Sequence, residues 1–299
     1  MSALAPRVVV VHRRTELTEL VAEHGTRGQV AFHLASRGRD LAELEAADAA
    51  VTAALAAVGA AIGPDLRRGA VERADLPRFL FDPEDVVVVV GQDGLVANVA
   101  QYLDGQPVLG VDPEPGRNPG VLVRHTPQEV AGLLAVLLDP ARRARAGERR
   151  TLVRARTDDG QTHLALNELY LGHRGHQTAR YRITGAGEAE RQASSGILVG
   201  TGTGATGWCG SVHAERHSDL ALPAPEEPAL AWFVREAWAS PATGTTRTQG
   251  RIEAGEALTV QVETDGLVLF GDGIEADRIT LRWGQEVRFT VADTSLLLI

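Results

Sequence analysis

The hydrophobic pattern of the first half of the chain is dominated by short unbroken apolar runs. Residues 7–11 and Val86–Val90 are continuous valine-rich stretches, and Pro107–Val111 is a third of the same kind. Uninterrupted runs of four to six apolar residues suit strands buried on both faces, as in a parallel sheet. Between them the pattern changes to helical spacing. It predicts helices over Glu16–His24, over 40–58 with Asp40 as its cap, and over 95–102. Residues 29–34 read as a second strand. Alternating strands and helices imply an α/β layer, Rossmann-like and built on a parallel sheet.

Near residue 150 the long helical patterns stop. The arginine-rich stretch 139–150 reads as the end of a helix begun near Thr126. Residues 152–156 and 163–171 then flank Asp158-Asp159-Gly160, a hairpin signal. Residues 180–184, Gly196–Gly200, Leu258–Val262 and 267–270 are further short β-rich runs, and 220–228, rich in Pro and Glu, reads as an exposed loop. The expected organisation is therefore an α/β domain over 1–150 and a β-rich domain over 151–299.

Composition narrows the function. The chain has 299 residues, 44% hydrophobic and 23% charged, enough for a real core. Its net charge of −9 argues against non-specific nucleic-acid binding, which runs on clustered positive charge. One cysteine, Cys209, permits no internal disulfide and fits a reducing, cytoplasmic compartment. The apolar run after Met1–Arg7 is too short for a leader, and no run of bilayer length is expected elsewhere, so no membrane partner is expected. There is no lysine, so all basic side chains other than histidine are arginine. That excludes a Walker A loop, a protein-kinase strand lysine and Schiff-base chemistry.

Three segments carry candidate chemistry. In the first, Val86–Val90 runs into Gly91-Gln92-Asp93-Gly94. Ligands of open α/β sheets bind beyond the carboxyl ends of strands, and an aspartate there can take a proton from a hydroxyl or hold Mg²⁺. The alternative is a plain turn in which Asp93 caps the helix. In the second, Leu166-Asn167-Glu168-Leu169 lies on a predicted strand, which would put Asn167 and Glu168 on opposite faces. In the third, Gly196–Gly200 enters Thr201-Gly202-Thr203-Gly204-Ala205-Thr206-Gly207-Trp208, a loop whose N–H groups and hydroxyls suit phosphate oxygens. Its match to GxGxxG carries little weight, because no βαβ unit surrounds it.

In order and together, these segments resemble the NAD kinase family. That family shows a Gly-Gly-Asp-Gly-Thr loop, an Asn-Glu pair, and Thr-Pro-Thr-Gly-Ser-Thr-Ala-Tyr after a strand. The resemblance covers roughly 85–210, and Phe270-Gly271-Asp272-Gly273 loosely matches an Asp-Gly element near the family's end. It implies that the α/β domain is nucleotide-binding and the β-rich domain sandwich-like, with the active site between them. The reaction would be phosphoryl transfer from ATP, or polyphosphate, to a ribose hydroxyl of NAD, with Mg²⁺ assisting and homo-oligomers common. Asp93 would be the general base, shaped by Gly91 and Gly94. Asn167, Glu168, Thr201, Thr203, Gly204 and Thr206 would hold nucleotide or phosphate. The chain departs from the pattern at Gln92, Leu95, Ser195, Trp208 and the loop 112–120. Those departures leave room for another nucleotide, nucleoside or sugar as acceptor, and for a binding protein without turnover.

Other residues read more simply. Arg235 either clamps a phosphate or pairs with a neighbouring acid. His173, His176, His213 and His217 lack a supporting carboxylate pattern and read as surface or loop residues rather than a zinc site. Cys209 reads as a buried thiol. No Gly-x-Ser-x-Gly elbow supports a hydrolase.

Overall fold

Arg7–His12 (β1) runs parallel to Arg67–Glu72 (β2) on one side and to Val86–Val90 (β3) on the other. Pro107–Val111 (β4) continues the parallel sheet beside β3. This computed structural model describes residues 6–117, 120–185 and 187–299. Residues 1–5, and Asn118 and Pro119 of the loop 112–120, lie outside the described residues. All five valines of β3 are buried, as expected of a central parallel strand covered on both faces. Val86, Val88 and Val90 share one core with Ala54, Val58, Val130 and Leu134.

The helices of this unit are Glu16–His24 (α1), Arg27–Ala35 (α2), Leu41–Ala61 (α3), Asp93–Ala100 (α4), Val130–Leu137 (α5) and Pro140–Ala146 (α6). Four expectations need correction here. Residues 29–34 are helical, not a strand. The Thr26 side chain accepts from Gln29 N–H and starts the helix, and Val30 and Leu34, four apart, are its buried face. The second strand is instead β2, where Val71 alone is buried. The helix expected from Thr126 through the arginines is broken. Asp139 caps a new helix at Pro140, which has no N–H to continue the old one, and the chain is already a strand at Glu148. Finally, α3 does meet the length and composition of a membrane span. Its Ala54 and Val58 pack into the core of the parallel sheet, and Asp40 caps its start as expected.

By contacts the chain divides into two compact units, 1–148 with 297–299, and 149–296. The last three residues complete the first: Leu297 and Leu298 pair with Pro107 and Val108 of β4, and Ile299 N–H donates to the Val108 carbonyl at 2.9 Å.

The second unit is a two-layer antiparallel sandwich. Its strands are Glu148–Thr157 (β5), Thr162–Ala165 (β6), Glu168–His173 (β7), Ala179–Gly185 (β8), Glu188–Ser194 (β9), Gly196–Gly200 (β10), Ala229–Arg235 (β11), Gln249–Glu253 (β12), Leu258–Val262 (β13), Leu267–Gly271 (β14), Ile274–Leu281 (β15) and Glu286–Leu298 (β16). One layer has the order β12-β11-β10-β7-β14-β15. The other places β13 between β8 and β16, with β9 beyond β8 and β5 beside β16 and β6. Inward-facing residues of both layers, among them Leu169, Ile197, Tyr181, Val260 and Phe289, form one continuous core. One helix, Trp208–Glu215 (α7), lies on the outer face of the first layer over Leu198 and Phe233.

The hairpin at 158–160 forms as expected, with Val153 opposite Ala165. The run 163–171 is not one strand, however. It breaks between β6 and β7 at Leu166 and Asn167. The segment 220–228 is a loop, but Pro223 is buried in it.

Candidate functional site

Asp93 stands at the carboxyl end of β3, in the first turn of α4. It is the first helical residue, not the cap; the cap position is Gln92, which makes no side-chain capping bond. The Asp93 carboxylate turns outward and accepts three consecutive backbone N–H groups. Val121 donates to Oδ2 at 2.7 Å, and Leu122 and Val123 donate to Oδ1 at 2.9 Å each. A carboxylate has about four lone-pair positions, so roughly one stays open to a ligand. Asp93, Gly91, Gln92 and Gly94 line a cavity of about 270 Å³ with Asp112, Glu114, Gly120 and Val123. Neither Gly91 nor Gly94 has a positive φ, so the turn does not demand glycine there. What Gly94 provides is room: a Cβ at that position would meet nothing within 4 Å.

Asn167, Glu168, Thr201, Thr203, Gly204 and Thr206 come together in the second unit. Thr201 N–H donates to the Asn167 carbonyl at 2.9 Å, and its hydroxyl donates to the Leu166 carbonyl at 2.5 Å. A Cβ on Gly204 would lie 2.3 Å from the Asn167 carbonyl oxygen, so only glycine allows this approach. The loop's N–H groups are not free as expected. Those of Thr203 and Gly204 donate to Thr201 Oγ1, and those of Ala205, Thr206 and Gly207 donate to carbonyls within the loop. The loop ends at Gly207, which starts α7 with no side-chain cap. By contrast α1, α2, α3 and α6 each begin with a side-chain oxygen bonded to the first turn. The helices α4 and α7, both opening directly after the singled-out loops, leave their first N–H groups for another acceptor.

Beneath this loop lies a pair of carboxyls that the sequence reading saw only in part. Asp272, in the turn after β14, accepts the N–H groups of Leu166, Asn167 and Glu168 at 2.8, 2.7 and 3.3 Å. This explains the break between β6 and β7: the three N–H groups turn to a side chain instead of a strand. It also overturns the opposite-face expectation for Asn167 and Glu168, since Asn167 is not in a strand. Burial, with the Asp272 charge beside it, pushes the Glu168 carboxyl up to about 7. Burial raises Asp272 as well, against the pull of its three N–H donors. Asp272 is the acceptor already satisfied by donors, and Glu168 Oε2 is buried with no hydrogen-bond partner, so the proton belongs on Glu168. Thr203 Oγ1 is a second buried oxygen without a partner. Cys209 is buried against this cluster, and burial holds its thiol far up from its ordinary value, so it is inert.

On the outer face of the β10 layer, Trp208 stacks on Tyr170 with ring centroids 5.4 Å apart, and the Arg235 guanidinium lies 5.2 Å over the Trp208 ring. The Tyr170 hydroxyl donates to the Ser195 carbonyl at 2.6 Å. Its ring lies flat over Gly172 and Gly196, where any Cβ would collide with it. Of the two readings of Arg235, the pair with a neighbouring acid is present, to Glu236 at 3.4 Å. His213 is half-buried on α7, bonded to the Leu220 carbonyl, rather than at the surface. Among the described residues, no cluster of three or more His, Cys, Asp or Glu side chains is placed to hold a metal. Sequence reasoning missed His163, buried beside Gly271 with Nε2 unpartnered. It also gave Asp272 no role; its partners lie more than a hundred residues away, beyond any local signal.

No protein-family model and no curated protein matches the sequence. Solved structures do. An NAD kinase from Archaeoglobus fulgidus in complex with ATP aligns over 98% of this chain and 92% of its own, with a TM-score of 0.56 and 16% identity. A yeast NADH kinase complexed with NADH aligns over 99% of this chain and 83% of its own, with a TM-score of 0.59 and 13% identity. With a parallel α/β unit followed by an antiparallel sandwich, the chain has an NAD kinase-like fold.

Proposed function

We propose that this chain is an ATP-dependent kinase that phosphorylates a ribose hydroxyl of NAD or a related nucleotide. The observation that carries the reading is the end of β3. There Asp93 lines a cavity, keeps one acceptor position open, and sits at a helix start with no side-chain cap. The fold shared with structures that hold ATP and NADH supports it. In the reaction the acceptor hydroxyl oxygen attacks the terminal phosphorus, its proton passes to Asp93, and the bond to the bridging oxygen breaks to release ADP. Gly94 gives the substrate close approach, while the missing Cβ of Gly91 leaves room for Leu95 of the same turn. In the second unit Asn167, Glu168, Thr201, Thr203, Gly204 and Thr206 form the nucleotide-binding segment, with the uncapped start of α7 as its anion-binding end. On this reading Mg²⁺ accompanies the nucleotide, where it would neutralise charge on the phosphates. On this reading the protein works in the cytoplasm as a homo-oligomer.

The three N–H bonds already made by Asp93 favour a second reading, a nucleotide-binding protein in which that carboxylate only holds the 121–123 segment. One experiment separates them. Purified protein with ATP and Mg²⁺ is offered nucleotides, nucleosides and sugars, and products are read by mass for an added phosphoryl group. The kinase reading expects a phosphorylated nucleotide, and a fall of about a hundredfold or more in Asp93→Asn. Nucleotide binding with no product from any acceptor would sink it.

A further inference from the structure

Arg235 closes β11, and its side chain is 30% exposed. It lies over the indole of Trp208, the first residue of α7 and the last of the Thr201–Trp208 segment. A guanidinium held over an aromatic face is fixed in place, but its N–H donors are not consumed by the ring. The bond it makes to Glu236 Oε1 is long, at 3.4 Å, and Glu236 is exposed. Charge–ring attraction thus holds the head group with most of its donors unspent, opposite Gly196 at the start of β10 and against Trp208, the last residue of the Thr201–Trp208 segment. The Tyr170 ring behind Trp208 is locked by its bond to Ser195 and by Gly172 and Gly196 beneath it. The platform is therefore rigid.

We propose that Arg235, braced on Trp208 and Tyr170, is an oxyanion subsite that makes the chain prefer nucleotides bearing an additional carboxylate or phosphate over otherwise identical uncharged ones. This rests on the reading of the Thr201–Trp208 segment as nucleotide-binding. Arg235 acts as a specificity-determining residue: a planar fork offers two parallel N–H donors to a carboxylate or phosphate, and nothing comparable to an amide. Glu236 is its competitor, and the ligand's oxyanion replaces that long contact.

The test is direct binding without ATP, so that it does not depend on turnover. Calorimetry compares NAD with its nicotinate counterpart, in which a carboxylate replaces the amide, and adenosine with AMP and ADP. The first pair probes a carboxylate and the second a phosphate. The full chain is compared with Arg235→Gln, Arg235→Lys and Glu236→Gln, each checked for folding by circular dichroism. The expected result is a preference of about tenfold for the charged member of at least one pair. Arg235→Gln should abolish it, Arg235→Lys should restore it in part, and Glu236→Gln should increase it. Equal affinities within both pairs, or a preference that survives Arg235→Gln in a folded protein, would overturn the proposal. A protein that phosphorylates nothing yet shows this charge-dependent preference refutes the kinase reading and supports the subsite. A kinase indifferent to Arg235→Gln does the reverse.

Discussion

Asp93 and Asp272 do the same thing to the backbone in two different settings. Each follows a buried strand, each has a glycine on its carboxyl side, and each accepts three consecutive N–H groups from a distant segment. Around Asp93 the segment is 121–123 and Val121 is exposed, with a cavity on the other side of the carboxylate. Around Asp272 the segment is 166–168, the carboxyl is desolvated, and a second carboxyl lies against it. One clamp is left open and the other is sealed. A carboxylate that keeps a wet side can serve a ligand, whereas a sealed one serves the turn it holds.

Removing each clamp should therefore cost different amounts. Asp272→Ala strands three N–H groups in a desolvated turn and should lower stability by about 4 kcal/mol. Asp93→Ala lets water take over its donors and should lose only about 1–2 kcal/mol. Urea unfolding of both variants measures this, and equal losses would erase the distinction between them.

The next effect is in pH. The Glu168 carboxyl titrates near 7 in the folded chain and near its ordinary 4.5 when unfolded. Between those values the folded state holds a proton the unfolded state has lost. Stability is thus full below the unfolded value and falls as pH rises toward 7, by about 3 kcal/mol. Glu168→Gln should flatten that slope, which urea midpoints from pH 4 to 8 would show. An unchanged slope means the Glu168 carboxyl is not the source.

Glycines sharpen the contrast further. Gly204→Ala pushes a methyl into the Asn167 carbonyl and should cost about 2 kcal/mol. Gly94→Ala meets nothing and lies in a helix, so it should be neutral or stabilising by up to about 1 kcal/mol. If the space over Gly94 belongs to a ligand, nucleotide affinity falls while the melting temperature holds. Unaltered affinity would make that space incidental.

These differences mark where the sequence was readable. The strands β3 and β4 were legible to the residue because a strand buried on both faces has no polar interruptions; α1 was legible too, and α3 at its start, where Asp40 caps it, but not at its end, which lies at Ala61 rather than at residue 58. The β2 strand was not, since Val71 alone of its residues is buried and it carries no periodic signal. Residues 29–34 misled because a short apolar run fits a strand as well as a helix, and Thr26 as a cap decides the matter. At the candidate site, the singled-out loops could be seen in order, but what their side chains do could not. Asp93 finds its donors 28 to 30 residues away and Asp272 more than a hundred. The desolvation that leaves a proton on Glu168 exists only once β7, β14 and the 201–204 loop have met.

The return of Leu297–Ile299 to the first unit has a consequence for synthesis. Residues 7–148 leave the ribosome long before Leu297 does, so the edge of β4 stays unpaired while the whole sandwich is being made. The nascent α/β unit must be held by its other strands and helices during that interval, with an unsatisfied strand edge that is open to aggregation. Closure comes last, when Ile299 bonds to Val108 and His125 and the Leu297 side chain settles against Gly147.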